Sequence, residues 1–355
     1  MTPKNASSVL PDLPPGAKVL ILRLRSLGDL VLETPAITAL HRWRPDLRIA
    51  VLAEPRFAPV FEGNPDVDEV IQSRKSLQTA GELRSRGFAA VFNQHGGPRS
   101  VLLTRASGAP VRVGWQGFQF SFLYNVTVPR PQEVFGRVTV HTVEHRMSQF
   151  YWTGLPRGPI PPLTVVLQPD AEISVGRWLD SWRIEKGNYA VLQPGAKVPA
   201  MRWPVAKFAA VARWLMDNHG IPSIVNLDAS DAEVALEARQ AFKGCGVVAD
   251  AMNVRELIAL IAGARLVVAN DSGPAHLAAA LQRPSVVIFS HTNPEKWKPW
   301  QAPHRIVQTG AVYDSIRGDE TIVVSESRPV GAIPVEEVAS ACAELLSGIA
   351  SGSQD

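Results

Sequence analysis

Cysteine is scarce. Cys245 and Cys342 are the only two in 355 residues, too few for a disulfide framework, and with no CxxC pair or Cys/His cluster a structural zinc site has no ligands to draw on. No apolar run reaches the roughly 18 residues that cross a bilayer; the best stretch, Leu257 to Ala269, is broken by Arg265. The first 16 residues, MTPKNASSVLPDLPPG, hold no apolar core of signal-peptide length. A chain that stays in a reducing cytoplasm is therefore expected. No run of five or six like charges and no recognised binding motif is present, so nucleic acid is not an expected partner. The dinucleotide fingerprint GxGxxG, the Walker loop, HExxH and a triad-like ordering are all missing, which leaves nicotinamide, kinase and hydrolase chemistry without residues.

What remains is a globular composition: 46% hydrophobic, 19% charged, with Gly 26 and Pro 29 spread through the chain. Its length suggests two domains. Charge is uneven: residues 1–150 hold 18 Lys+Arg against 12 Asp+Glu, a net +6, and the remainder is net −3. An anionic partner for the basic half and an ordinary solvated arginine face both fit that bias.

Apolar runs alternate with amphipathic stretches. Strands are expected at Lys18 to Leu24, Arg48 to Ala53, Val67 to Ile71 and Ala89 to Phe92, with a helix carrying Leu30, Val31, Ala36, Ile37 and Leu40 after the first. The pattern returns with strands at Tyr189 to Gln193, Ser223 to Leu227, Val247 to Ala249, Leu266 to Ala269 and Ser285 to Phe289, separated by helices. Such alternation predicts an α/β chain of two doubly wound parallel sheets, with ligand loops at the carboxyl ends of the strands and a cleft between the loop faces. The boundaries expected are a flexible extension over 1–17, a first domain over 18–168, a second over 169–330, and a last helix and tail over 331–355 that folds back on the first domain. A proline-rich linker (Pro156, Pro159, Pro161, Pro162, Pro169) joins the two domains.

Four loops carry candidate chemistry. Asp29, after the first strand, is placed to accept a proton at a helix start or merely to cap that helix. In Asn270-Asp271-Ser272-Gly273-Pro274-Ala275-His276, the open N–H groups of a helix start suit a phosphate, while Asp271 suits sugar hydroxyls. His276 is either a core histidine or a phosphate cation. Lys197 and Arg202, in PGAKVPAMRWP, can neutralise a departing diphosphate or sit idle in solvent. In His95-Gly96-Gly97-Pro98-Arg99 the glycines admit a ligand to the backbone and Arg99 can pair with an anion, although ordinary turn chemistry explains the glycines as well.

Taken together, LILRLRSLGDLVLETPAITALHRWRPDLRIAVLAEPRFAPVFEGNPDVDEVI, FNQHGGPRSVLLTRASGAPVRVGW, HTVEHRMSQFYWTGLP, PGAKVPAMRWP and VVANDSGPAHLAAALQRPSVVIFSHTNPEKWKPW resemble, in order, the signatures of glycosyltransferase family nine, the ADP-heptose:lipopolysaccharide heptosyltransferases. The resemblance implies the GT-B fold, an amino-terminal acceptor domain, a carboxyl-terminal nucleotide-sugar domain, and inverting transfer without metal or cofactor from a nucleotide-sugar donor, here ADP-linked. Asp29 matches the family's catalytic base. Asp271, Ser272, Gly273 and His276 match the donor loop, Lys197 and Arg202 fall to the donor phosphates, and Gly28, His95, Gly96, Gly97 and Arg99 fall to the acceptor side. The implied partner is an anionic glycolipid of the lipid A-core type, met by a monomer that touches the inner face of the cytoplasmic membrane transiently. Three positions depart from the pattern, all on the donor side: Met201 stands where the family has the lysine of Lys-x-Trp-Pro, Asp228 where it often has glycine, and Ser290 in place of the glycine of Phe-Gly-Pro. They leave open a different donor sugar or a protein that binds nucleotide sugars without turnover; an epimerase of the same fold is a third alternative.

Overall fold

A computed structural model describes residues 6–196, 198–227, 232–250, 252–310, 312–317, 320–325 and 328–351. The chain forms two compact units, Met1–Val166 and Leu167–Asp355.

The first unit runs β1 (Lys18–Leu22), α1 (Leu27–Val31), α2 (Thr34–Trp43), β2 (Arg48–Ala53), β3 (Glu69–Gln72), α3 (Ser76–Ser85), β4 (Ala90–Asn93), α4 (Pro98–Ala106), β5 (Val111–Trp115), β6 (Val126–Val128), α5 (Pro131–Phe135) and α6 (Thr142–Trp152). Its six strands are all parallel, in the order β3-β2-β1-β4-β5-β6. Helices cover the sheet, which is why β1 reads as an unbroken apolar run with only Lys18 exposed. Leu22, the last residue of β1, lies opposite Leu52 of β2 and Asn93 of β4. The loops after β1 and β4 therefore emerge level and side by side at the point where strand order reverses, which is where open α/β sheets bind ligands. Helix α6 fixes this end of the unit by stacking Phe150 on Phe92, ring centroids 4.8 Å apart, a contact worth about 1 kcal/mol beyond its buried area.

The second unit runs α7 (Pro169–Ser181), β7 (Ala190–Gln193), α8 (Val205–His219), β8 (Ser223–Leu227), α9 (Ala232–Ala241), β9 (Val247–Asp250), α10 (Val254–Ala262), β10 (Leu266–Asn270), α11 (Gly273–Ala280), β11 (Ser285–Phe289), α12 (Pro294–Trp297), β12 (His304–Gln308), the antiparallel hairpin β13 (Val312–Arg317) and β14 (Glu320–Ser325), and α13 (Val335–Ser351). Its main sheet, β12-β11-β10-β7-β8-β9, repeats the order of the first with each strand parallel to its neighbours. The reversal here lies between β7 and β10, where Gln193 sits opposite Ala269.

Three expectations are corrected. Residues 6–17 are not a loose extension: Val9, Leu10 and Leu13 are buried, and Arg44 donates to the carbonyls of Leu10 (2.7 Å) and Leu13 (2.8 Å). Gly154, at φ +111°, lets this segment lie close, because a Cβ there would collide with the Ser7 carbonyl. The single helix expected after β1 is two, α1 and α2; Pro35 offers no N–H at the junction, and the Thr34 hydroxyl donates to the Val31 carbonyl at 2.8 Å. The last helix does not fold back on the first domain: α13 packs on α8, β11 and β12 of its own unit, burying Val338, Cys342, Leu345 and Leu346 in that core. The hairpin β13–β14 and the elements from β5 to α6 were not foreseen, because β6 is only three residues long and the apolar residues of the α6 segment are interleaved with charge.

Candidate active site

In the first unit, Ser26 opens α1 and Asp29 lies three residues on, in the first turn. The Ser26 N–H (3.2 Å) and hydroxyl (2.9 Å) both donate to Asp29 Oδ2, so the capping role is real. It uses only one carboxylate oxygen. The other, Oδ1, meets two guanidiniums: Arg23 Nη2 at 2.5 Å and Arg146 Nη2 at 2.9 Å. Arg23 stands where the chain leaves β1, and Arg146 comes from α6. Both arginines are buried and both also donate to the Gln94 carbonyl after β4. Burial alone would raise the Asp29 carboxyl; the charges of Arg23 and Arg146, with hydrogen bonds from Arg23 and the Ser26 N–H, overcome it and hold the group well below the usual carboxylate range. Asp29 is thus an anion at any physiological pH, with its side chain 18% exposed. It keeps a face open to a ligand.

Glu33, between α1 and α2, is fully buried next to the same pair. Its Oε2 lies 3.7 Å from Arg146 Nε, and neither of its oxygens makes a hydrogen bond. Desolvation pushes its carboxyl up to about 7, against the pull of Arg146 and Arg23. His95, beside them, is pushed down to about 4 by burial and then by Arg23 and Arg25. It is neutral at pH 7 and can donate to or accept from a hydroxyl.

The loop carrying His95 is built by Asn93, whose Oδ1 accepts the N–H groups of His95 (3.0 Å) and Gly96 (3.1 Å). Gly96 has φ +69°, and a Cβ there would lie 2.8 Å from the Phe118 ring, so glycine is required on two counts. Gly97 precedes α4 as its N-cap, and Gly28 is buried within α1. Arg99 is on the exposed face of α4, pairing with Glu54 at 3.3 Å and the Arg74 carbonyl at 3.0 Å. The structure gathers Gly28, Asp29, His95 and Gly96 at the strand-order reversal; it directs Arg99 to Glu54.

In the second unit, Asn270 ends β10 fully buried; its Oδ1 accepts the Trp203 N–H (3.0 Å) and its Nδ2 donates to the Pro194 carbonyl (2.7 Å). One side chain thereby ties the loop after β7 to the loop after β10. Asp271 accepts a hydrogen bond from Thr292 Oγ1 at 2.5 Å. Among the described residues no cation offsets its burial, which pushes the carboxyl up to about 6 although the Thr292 hydroxyl pulls it down. Ser272 is the N-cap of α11 but turns its hydroxyl to the Asn270 carbonyl (2.9 Å) and makes no side-chain cap bond. In the first turn of α11, Pro274 has no N–H and the Ala275 N–H donates to the Ser272 carbonyl at 3.1 Å; the positive end of the helix suits an anion. His276 is buried in α11, its ring 6.4 Å from Trp297. Arg202 donates through Nε to the Ala196 carbonyl at 2.9 Å, beside Met201 at the end of a turn spanning Pro199–Met201. Ser290 is buried, its carbonyl accepting from Thr309 at 3.0 Å. Lys197 and Asp228 lie outside the described residues. Among the described residues, no three His, Cys, Asp or Glu side chains come together as a metal site, and no helix is long and apolar enough to cross a membrane.

Sequence reading missed Arg23, Glu33 and Arg146. Arg23 left a trace, a lone cation inside the apolar run VLILRL over 19–24. Glu33 and Arg146 left none, since their meaning lies in a contact between segments more than a hundred residues apart.

Residues 77–320 match the family described as glycosyltransferase family 9 (heptosyltransferase). Lipopolysaccharide heptosyltransferase 2 of Escherichia coli (strain K12) is 24% identical over 322 residues, 84% of this chain and 90% of that protein. Among solved structures, the family 9 glycosyl transferase of Veillonella parvula superposes with a TM-score of 0.82 at 22% identity, covering 95% of this chain and 99% of the other. ADP-heptose lps heptosyltransferase II of E. coli gives a TM-score of 0.76 at 22% identity, with 93% and 99% covered. These likenesses bear out the GT-B fold of two doubly wound parallel sheets. The chain belongs to glycosyltransferase family 9, the heptosyltransferases.

Proposed function

We propose that this protein transfers a heptose, with inversion, from ADP-heptose to a hydroxyl of a lipopolysaccharide-core glycolipid at the inner face of the cytoplasmic membrane. The observation that carries the reading is Asp29: a partly exposed carboxylate at the strand-order reversal of the first sheet, held ionised by Arg23 and Arg146. An alcohol has no need of a strong base here. As its oxygen bonds to the anomeric carbon and the bond to the diphosphate breaks, the hydroxyl proton becomes acidic, and a weak base in contact suffices to receive it. Asp29 takes that proton, and its fixed position saves orientational entropy.

The donor belongs to the second unit in this reading. Asp271 accepts hydrogen bonds from sugar hydroxyls, and the Gly273 N–H and the positive end of α11 hold the diphosphate. Arg202 and Lys197 supply positive charge to the leaving group, in place of the lysine that Met201 replaces, with His276 in the donor-loop helix. No metal or cofactor takes part in the proposed reaction. The donor is named from the E. coli heptosyltransferase II relative, and the acceptor class from lipopolysaccharide heptosyltransferase 2. The protein works as a monomer.

Calorimetry against ADP, GDP, UDP and CMP, with Arg202→Ala and Lys197→Ala beside the wild type, tests the donor. Selective ADP binding, weakened in either variant, is the expected result. Preference for another nucleotide replaces the donor, and binding to none removes the reading. ADP release that proceeds without acceptor would point to an epimerase instead.

A further inference from the structure

Residues 83–132 contain six arginines, Arg84, Arg86, Arg99, Arg105, Arg112 and Arg130, and no aspartate, glutamate or lysine. Fifty residues without a carboxylate make this the most one-signed part of the chain. At its centre the turn after β5 projects three phenylalanines at alternate positions: Phe118, Phe120 and Phe122 are 40%, 36% and 78% exposed. The rings of Phe120 and Phe122 meet edge to face at 6.2 Å. The short turn Ser121–Leu123 packs on α4, where Leu102 is 53% exposed. Four large apolar side chains thus share one open surface, a grouping that a soluble monomer does not ordinarily leave bare.

The turn is held in place and does not merely dangle. Arg112 donates to the Leu123 carbonyl (3.0 Å) and the Ala109 carbonyl (2.9 Å), and Phe120 sits in the left-handed region at φ 63°, where a non-glycine residue is disfavoured. The surface is also continuous with the Asp29 site. Phe118 covers Gly96, its ring lies 6.4 Å from Trp115, and Arg146, the partner of Asp29, lies 5.7 Å over the Trp115 ring. A second copy of the chain is a poor occupant, since apposing two such faces would bring the exposed Arg105 and Arg130 of one against those of the other. Of the six arginines, Arg86 pairs with Glu69 and Glu82 and Arg99 with Glu54, while Arg105, close to Arg112, and Arg130 are exposed; exposed phenylalanines with such arginines match instead the boundary of a bilayer, where apolar rings enter the acyl region and guanidiniums meet lipid phosphates.

We propose that Leu102, Phe118, Phe120 and Phe122, with the exposed Arg105 and Arg130, form the face by which this protein docks on an anionic lipid bilayer. The inference rests on the reading that the acceptor is a glycolipid, and it sets the acceptor's lipid end toward the phenylalanines and its sugars toward Asp29.

Flotation of the full-length protein with vesicles of phosphatidylethanolamine and phosphatidylglycerol, against pure phosphatidylcholine, tests it. The wild type should float with the anionic vesicles and not with phosphatidylcholine. A Phe120→Ser, Phe122→Ser double variant should bind at least about tenfold more weakly, and Arg105→Gln should bind more weakly and with a smaller response to salt. Both positions are surface-exposed, and an unchanged melting temperature shows that the variants are folded. Transfer to a deacylated, water-soluble acceptor should be the same in the double variant and the wild type. Vesicle binding unaffected by the double substitution overturns the proposal, as does no binding by the wild type, or a wild-type dimer in light scattering that the double variant dissolves. If no protein transfers sugar but the double variant loses vesicle binding, the docking face stands and the transferase reading fails.

Discussion

Asp29 and Asp271 occupy matching places. Each follows a central strand of a six-stranded parallel sheet, each lies where that sheet's strand order reverses, and each is at the start of a helix. Their electrostatics are opposite. Asp29 faces two buried guanidiniums that keep it ionised; Asp271 has a hydroxyl for a partner and is pushed up to about 6. Topology fixes where a carboxylate stands, and side chains brought from elsewhere in the chain decide its charge state. On the proposed function, a permanent anion suits the base, whereas a carboxylate near its titration point gives donor binding a pH dependence to look for.

The contrast can be broken most severely at Arg146. Arg146→Met leaves Asp29 with one guanidinium and Glu33 with a buried carboxyl whose nearest cation is gone; a loss of about 3–5 kcal/mol in unfolding stability is expected by denaturant titration.

Glu33 supplies the next largest effect. Its carboxyl is raised to about 7 in the folded protein from an ordinary 4.5, so between those values the folded state holds a proton that the unfolded chain has released. Stability should therefore fall as pH rises from about 4.5 to 7 and level off above, by on the order of 3 kcal/mol in all. Melting curves of Glu33→Gln should lack that part of the slope. Asp29 acts in the other direction and in another window: its stabilising contribution is present above the ordinary carboxylate range and is lost only in strong acid.

Donor affinity sharpens the comparison from the Asp271 side. Since its carboxyl titrates near 6, ADP-sugar binding measured by calorimetry should weaken as pH falls through 6, by up to about tenfold per unit. Smallest is Thr292→Val, which removes the one hydrogen bond that lowers Asp271. It should cost about 1 kcal/mol of stability and move the midpoint of that pH dependence above 6.

The central strands of both sheets were legible in the sequence, though β5, β6 and β12 were not, because strands buried on two faces are largely apolar, and β2, β8 and β11 end where their apolar runs end. Asp29, Asp271 and the glycines of the His95 loop were legible because they sit just past such runs. The charge environment was not. Arg146 reads as one more cation on an amphipathic helix until α6 is packed against the end of β4, and Glu33 reads as a helix-start acid until burial strips its solvent. The fate of α13 was hidden for a related reason: an apolar helix face says that it is covered, and says nothing about by what.

The most direct test is sugar transfer by Asp29→Asn, measured with ADP-heptose and a lipopolysaccharide-core acceptor alongside donor affinity. Asparagine keeps the size and the Ser26 contacts but cannot take a proton. The account predicts a fall in kcat of about 10²–10⁴-fold with donor affinity unchanged. Transfer at the wild-type rate would contradict it, and would move the base to another group.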